Sequence, residues 1–319
     1  MKRAYMSLIV LTLVLALVLS GCNKKEEIDT PVVKPPIVNP TDNVGEEDEE
    51  TLVEAFAEVL ENEDEPEKII SFIDSNLDKL SELDGDIMID GLEKKLQKNI
   101  EFLTGRIIEL DKDNELLAID GERFVFSEES ISEIKNEELK TEIQKAYDNM
   151  YMLVNLEGQF YPIIDYSKLK KYNDYLTDEW IDYLAIMADD SEDLPLADGA
   201  LRISFDQLAK RLFLTENYLN SYVEGQRQKE MLDLYENKIN VYLKGVPNTP
   251  IADRDTNIIT AEVLGSYEKT ANVENYMTSH IVYKYLELIK ENENIIDQHI
   301  LDEADRLIEE VMEVLTEFK

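Results

Sequence analysis

Residues 226–244, QRQKEMLDLYENKINVYLK, decide the class of fold. Met231, Tyr235, Ile239 and Tyr242 recur at helical intervals, so they share one face of an α-helix while charged and amide residues fill the other. Gly245 follows at once and Pro247 soon after. Glycine takes the conformation that closes a helix, and proline cannot continue one. The same grammar holds on both sides of this stretch. Residues 51–54, TLVE, form a capping box, and Leu52, Ala55, Phe56, Val59 and Leu60 follow at helical spacing. Pro66 suits the first turn of a second helix carrying Ile69, Ile70, Ile73, Leu77 and Leu80. A third helix is expected after Asp90, with Leu92, Leu96, Ile100 and Leu103 along one side. Thr177 opens another, Trp180 in its first turn, and residues 204–207, SFDQ, are a second capping box. In the last helix Ile300, Ala304, Leu307, Val311, Val314 and Phe318 are spaced alternately four and three.

The period changes in one place. Residues 106–110, RIIEL, then the polar 111–114, DKDN, then 115–119, ELLAI, read as strand, turn, strand, and Asp120-Gly121 turns the chain toward Arg123–Phe126. A small antiparallel β insertion is therefore expected at about 106–126. It is too small to fold alone and must pack on helices. The chain is expected to be mainly α, a helical bundle or an irregular array of helical hairpins carrying that insertion.

The N-terminus follows different rules. Lys2 and Arg3 precede an apolar run from Met6 to Leu19, the charge and core of a secretory signal. At about 20 residues per membrane-spanning helix the run is short for a permanent span. It ends in Leu19-Ser20-Gly21-Cys22, which resembles the lipobox of bacterial lipoproteins. That resemblance implies cleavage before Cys22 and lipid on its sulfur, hence a membrane anchor on the extracytoplasmic face. Each acyl methylene adds about 0.8 kcal/mol, so several chains hold firmly. Pro31, Pro35, Pro36, Pro40 and the acidic run 46–50 offer little to bury, and 22–50 is expected to be a disordered tether. At about 3.1 Å per residue it reaches on the order of 90 Å extended, or roughly 30 Å as a coil. The expected organisation is thus a signal at 1–21, a lipidated tether at 22–50, helices with the β insertion at 51–127, and a helical domain at 128–319.

Cys22 is the single cysteine, so the fold carries no internal disulfide and rests on a hydrophobic core. There are 32 basic and 70 acidic residues; loss of Lys2 and Arg3 takes the formal charge from −38 to −40. Nucleic acid binding needs a basic footprint, so nucleic acid is excluded as a partner.

Few residues offer chemistry. The only histidines, His280 and His299, fall on separate expected helices, without HExxH spacing. Asp111, Asp113, Glu115 and Glu122 follow the count of a calcium loop, but Leu116 stands where that loop needs glycine, so a solvated turn is expected and no metal. The acidic loop 189–193, DDSED, is likewise read as a solvated helix end, and no cofactor is called for. The densest unusual segment is 157–166, EGQFYPIIDY, with Tyr172, Tyr175, Trp180 and Tyr183 after it. Tyr161, Tyr166 and Trp180 are candidate ligand-binding rings, while Glu157 and Asp165 are weak candidates for a glycosidase-like acid–base pair. Packing of these rings where helices meet is the plainer expectation.

Two further resemblances bear on the body. Tyr222, Leu232 and Tyr235 are echoed fifty residues on by Asn272, Val282 and Tyr285, each set within a helix–turn–helix. The echo looks like the tetratricopeptide class of stacked hairpins, with a longer period. Glu157-Gly158, Tyr161-Pro162, Asp165-Tyr166, residues 200–204 (ALRIS) and 248–250 (NTP) resemble segments of uncharacterised surface lipoproteins of low-GC Gram-positive bacteria over roughly 130–290. That likeness implies location and a helical body, and no activity. The expected role is a non-enzymatic binding or scaffold module for a protein or a cell-wall polymer; the alternative is an extracytoplasmic glycan-acting enzyme using Glu157 and Asp165.

Overall fold

The helix read between Gln226 and Lys244 is present: in the computed structural model, which describes residues 46–317, it spans Gln228–Lys244, and Gly245 closes it at φ +71°. From the N-terminal side the helices are α1 (Glu46–Asn62), α2 (Pro66–Asn76), α3 (Glu82–Leu110), α4 (Glu115–Asp120) and α5 (Glu137–Asp148). The strands β1 (Tyr151–Leu156) and β2 (Gln159–Ile164) follow, then α6 (Tyr166–Leu169) and α7 (Asp178–Glu192). Next come β3 (Leu196–Ala197), β4 (Ala200–Leu201), α8 (Phe205–Ser221) and α9 (Gln228–Lys244). The chain ends in β5 (Gly245–Val246), β6 (Thr249–Pro250), α10 (Ala261–Thr270), α11 (Met277–Glu291) and α12 (Gln298–Glu317). The fold is mainly α with small antiparallel two-stranded hairpins. Cys22, the signal and the tether as far as residue 45 lie outside the described residues.

Three expectations move. The β insertion is not at 106–126: residues 106–110 are the end of α3 and 115–120 are α4. Ile107 continues the buried stripe of Leu92, Leu96 and Leu103 on α3, so the helical period wins over the apparent alternation. Asp111 then caps α4, its Oδ1 accepting from the backbone N–H of Glu115 at 2.6 Å and of Leu116 at 3.3 Å. Only the third expected strand survives, as a bridge of Val125 to Val154 beside β1. The substantial hairpin is β1–β2, closed by Glu157 and Gly158 at φ +53° and +79°, the doubly left-handed turn that matches strand twist.

Second, helix begins before the expected cap. α1 starts at Glu46, so the acidic run assigned to the tether is helical and Thr51 lies within the helix. Carboxylates suit the positive end of a helix dipole. Third, α3 starts at Glu82 rather than after Asp90; Ser81 caps it by accepting from the N–H of Asp84.

Within the described residues the chain runs hairpin, helix, helix three times: β1–β2 into α6 and α7, β3–β4 into α8 and α9, β5–β6 into α10 and α11. The first helix of each unit opens on a capping side chain, namely Asp165, Ser204 and Thr260. The hairpin turns lie side by side. Glu157 N–H donates to Asp198 Oδ2 at 3.4 Å, and Asn248 N–H to the Gly199 carbonyl at 2.8 Å. Tyr235 and Tyr285, the residues of the fifty-residue echo, are both fully buried on the second helices of consecutive units. α12 closes the array by packing on α9 and α11.

Residue 127, the expected domain boundary, falls inside one compact unit. Phe126 N–H donates to Leu153 O at 2.9 Å and Asn155 N–H to Phe124 O at 2.7 Å, so backbone pairing crosses it. Part of the large acidic excess is structural. Buried Asp86 receives the N–H and hydroxyl of Thr177 at the start of α7, and buried Glu216 receives the N–H groups of Met277 and Thr278 at the start of α11. Among the described residues no helix is long and apolar enough to cross a membrane.

Candidate binding site

The apolar stripe of α3 has one charged interruption. Glu93 lies among Ile89, Leu92 and Leu96 on the buried side of the helix and is 6% exposed. An ionised carboxylate in such a place needs donors. Three side chains supply them. Tyr166, at the start of α6, donates its hydroxyl to Oε1 at 2.6 Å, and Tyr183, on α7, to the same oxygen at 2.5 Å. Arg227, just ahead of α9, donates Nη2 to Oε2. The guanidinium also reaches Asp90 at 2.8 Å and Glu230 at 2.7 Å, and lies 4.4 Å from the centre of the Trp180 ring and 4.9 Å from that of Tyr183. Trp180 and Tyr183 meet edge to face with centroids 5.4 Å apart. One arginine thus joins α3, α7 and α9, with two rings for a bed.

Its approach is fixed by the backbone. Arg227 N–H donates to Glu179 Oε1 at 3.2 Å, and Tyr218 hydroxyl to the same atom at 2.9 Å. A side chain at Gly225 would bring its Cβ within 2.5 Å of that oxygen, so glycine is required for the close approach.

Burial dominates the electrostatics. Desolvation pushes the Glu93 carboxyl above the usual carboxylate range, although Arg227 and the two tyrosine hydroxyls pull the other way. Burial likewise raises the hydroxyls of Tyr166 and Tyr183, and Glu93 beside them adds to it. Both stay protonated and donate. For Arg227, desolvation is outweighed by Glu93, Tyr183, Glu230 and Asp90, and the guanidinium stays charged.

These groups form one wall of a cavity of about 370 Å³ between α3 and α9. Met187, Met231 and Leu234 give it an apolar floor, and Lys94, Gln97, Glu230, Asp233 and Asn237 surround the opening. A larger cavity of about 520 Å³ lies among α2, α3 and α5, but it holds none of the sequence candidates; Lys95 pairs there with Asp64 and Lys145 with Glu65.

The candidates from the sequence are therefore divided. Tyr166 and Trp180 come together at Glu93 and Arg227. Trp180 is fully buried beneath the arginine, so its face is not offered to a sugar, and Tyr166 is 8% exposed. Tyr161 stands apart, half-buried on β2 opposite Val154. Glu157 is exposed in the β1–β2 turn, whereas Asp165 is buried beyond the far end of β2, its Oδ1 accepting from Ser167 N–H at 3.2 Å. Eight residues of extended chain at about 3.3 Å each separate them, well beyond the roughly 5–9.5 Å of a glycosidase pair. His280 and His299 are both exposed. The acidic loop near 190 is engaged: Asp190 pairs with Arg211 at 3.1 Å and Lys238 at 2.8 Å. Among the described residues no three metal-ligating side chains converge.

Glu93, Arg227, Asp90 and Glu230 were not among the sequence candidates. Glu93 left a signal, a carboxylate in register with an apolar stripe; Arg227 left none, since it precedes its helix. No family model, curated protein or solved structure matches the chain.

Proposed function

We propose that the chain is a lipid-anchored extracytoplasmic binding module, fixed to the membrane through Cys22 and held off it by the segment that follows, with a protein or cell-wall polymer as partner. The observation that carries this reading is the state of the groups at the cavity. Glu93 and the two terminal nitrogens of Arg227 are engaged by one another and by Tyr166, Tyr183, Asp90 and Glu230, so they build a rigid wall rather than present a reactive group. Stacked helical units are a physical basis for such presentation, because each buries its apolar face on the next and leaves the cleft between helices preformed. The glycan-acting alternative has no support from Glu157 and Asp165, which stand at opposite ends of β2.

Two measurements test the proposal. Cells fed labelled palmitate should label the protein through Cys22, and Cys22→Ala should abolish the label and release the chain from membranes. Crosslinking on intact cells should capture a defined partner; labelled protein that captures nothing beyond a scrambled background would sink the binding role.

A further inference from the structure

The cleft between α3 and α9 specifies its ligand more closely than "a partner", and this step rests on the binding-module reading above. Its two cations are spent: Lys94 is paired with Asp90 at 2.6 Å, and Arg227 with Glu93, Asp90 and Glu230. Of its acidic groups, Glu93 and Glu230 hold Arg227, and Asp233 holds nothing among the described residues. Asp233 is exposed at the opening with no side-chain hydrogen bond or ion pair among the described residues, and Glu230 is about half exposed although it holds Arg227. Gln97 and Asn237 likewise have no side-chain partner there. Beneath them lie the thioethers of Met187 and Met231 and the side chain of Leu234, an adaptable apolar floor.

We infer that the cleft binds a lysine-bearing peptide segment, its methylene stem on Met187, Met231 and Leu234, its ammonium between Asp233 and Glu230, and its backbone amides on Gln97 and Asn237. A cavity of about 370 Å³ holds one long side chain and the peptide units flanking it. The apolar stem explains the methionines, the ammonium matches the unspent Asp233 beside the half-exposed Glu230, and the amides match the unpartnered Gln97 and Asn237. An acidic segment meets Asp233 and Glu230 head on.

Calorimetry on the full lipidated chain in detergent tests this with capped pentapeptides Gly-Ala-Xaa-Ala-Gly at low salt, where Xaa is lysine, norleucine or glutamate. The lysine peptide should bind about tenfold more tightly than its norleucine counterpart, and the glutamate peptide not at all. Asp233→Asn, an exposed change that leaves the fold intact by circular dichroism, should weaken the lysine peptide about fivefold, as should raising the salt concentration. Free 1,5-diaminopentane should bind more weakly than the peptide. Equal binding of lysine and norleucine peptides, insensitivity to Asp233→Asn, or a diamine that binds as well as the peptide overturns the inference. Failure of all peptides while cell crosslinking still captures a partner removes this ligand assignment and leaves the binding-module reading standing.

Discussion

At the scale of single residues, the centre of the molecule is a carboxylate that folding makes uncomfortable and three neighbours make tolerable. Because burial raises the Glu93 carboxyl above its unfolded value of about 4.3, its contribution to stability is full below that value and is lost as pH rises through the folded one. Asp90 and Glu230 face the same guanidinium and Arg227 opposes them, so total stability mixes several terms; the difference between wild type and Glu93→Gln isolates this one. In urea unfolding from pH 4 to pH 8, wild type should lose stability relative to Glu93→Gln as pH rises, and a constant difference would show that Glu93 ionises at its ordinary value. Arg227 invites the opposite experiment. Arg227→Ala leaves Glu93 buried without its cation and should cost about 3–5 kcal/mol. Arg227→Lys keeps a charge but forfeits the forked contacts to Glu93, Asp90 and Glu230 and the bed on Trp180, and should recover only part of that loss.

At the scale of elements, α3 carries three glycines, of which Gly91 and Gly105 follow opposite logic. A Cβ on Gly91 would come within 2.6 Å of Leu60 and 2.8 Å of Phe56, so α1 crosses α3 where Gly91 leaves a side chain out. Gly91→Ala should destabilise by about 1–3 kcal/mol through overpacking, despite the better helix propensity of alanine. A methyl group on Gly105 would meet nothing within 4 Å, and Gly105→Ala should stabilise by about 0.5–1 kcal/mol, the propensity term alone. Thermal melts of the two variants shifting in the same direction would refute the packing account. How far the elements were legible follows from where their information lies. The cap at Ser204, the proline start of α2 and the glycine stop of α9 are local devices, and the sequence displays them. The end of α3 is another matter. RIIEL fits a strand pattern over five residues, and only the continuation of a buried stripe from Leu92 to Ile107 makes it helix. β1–β2 was equally open to misreading. Its turn is Glu-Gly rather than Asn-Gly, and β1 is buried on both faces over its first four residues, so it has no alternation to show. The site was half legible for the same reason. Tyr166 and Trp180 stand out as aromatics, but the pair that gathers them comes from residues 93 and 227, brought together only by tertiary packing.

At the scale of the whole molecule, the question is whether the N-terminal helices and the hairpin–helix–helix array are one folding unit. Besides the bonds of Thr177 to Asp86 and of Tyr166 and Tyr183 to Glu93, two contacts tie them. Phe124 and Phe126 exchange backbone hydrogen bonds with β1, and Arg227, from the array, reaches Glu93 and Asp90 on α3. Stacked helical units can lose cooperativity because each touches only its neighbours. Here the arginine and the β bridge connect segments more than a hundred residues apart in one case and nearly thirty in the other, which opposes unfolding in pieces. Trp180 is the only tryptophan and sits under Arg227, so its fluorescence reports on the junction itself. Ellipticity reports on helices everywhere. Urea unfolding of wild type should therefore give the same midpoint by both signals. In Arg227→Ala the junction is the element weakened, and the fluorescence midpoint should fall below the ellipticity midpoint as the array outlasts it. Coincident midpoints in that variant would place the coupling in the remaining contacts, the β bridge and the bonds of Thr177 to Asp86 among them, and separate midpoints in wild type would mean that these contacts together do not join the two parts into one unit.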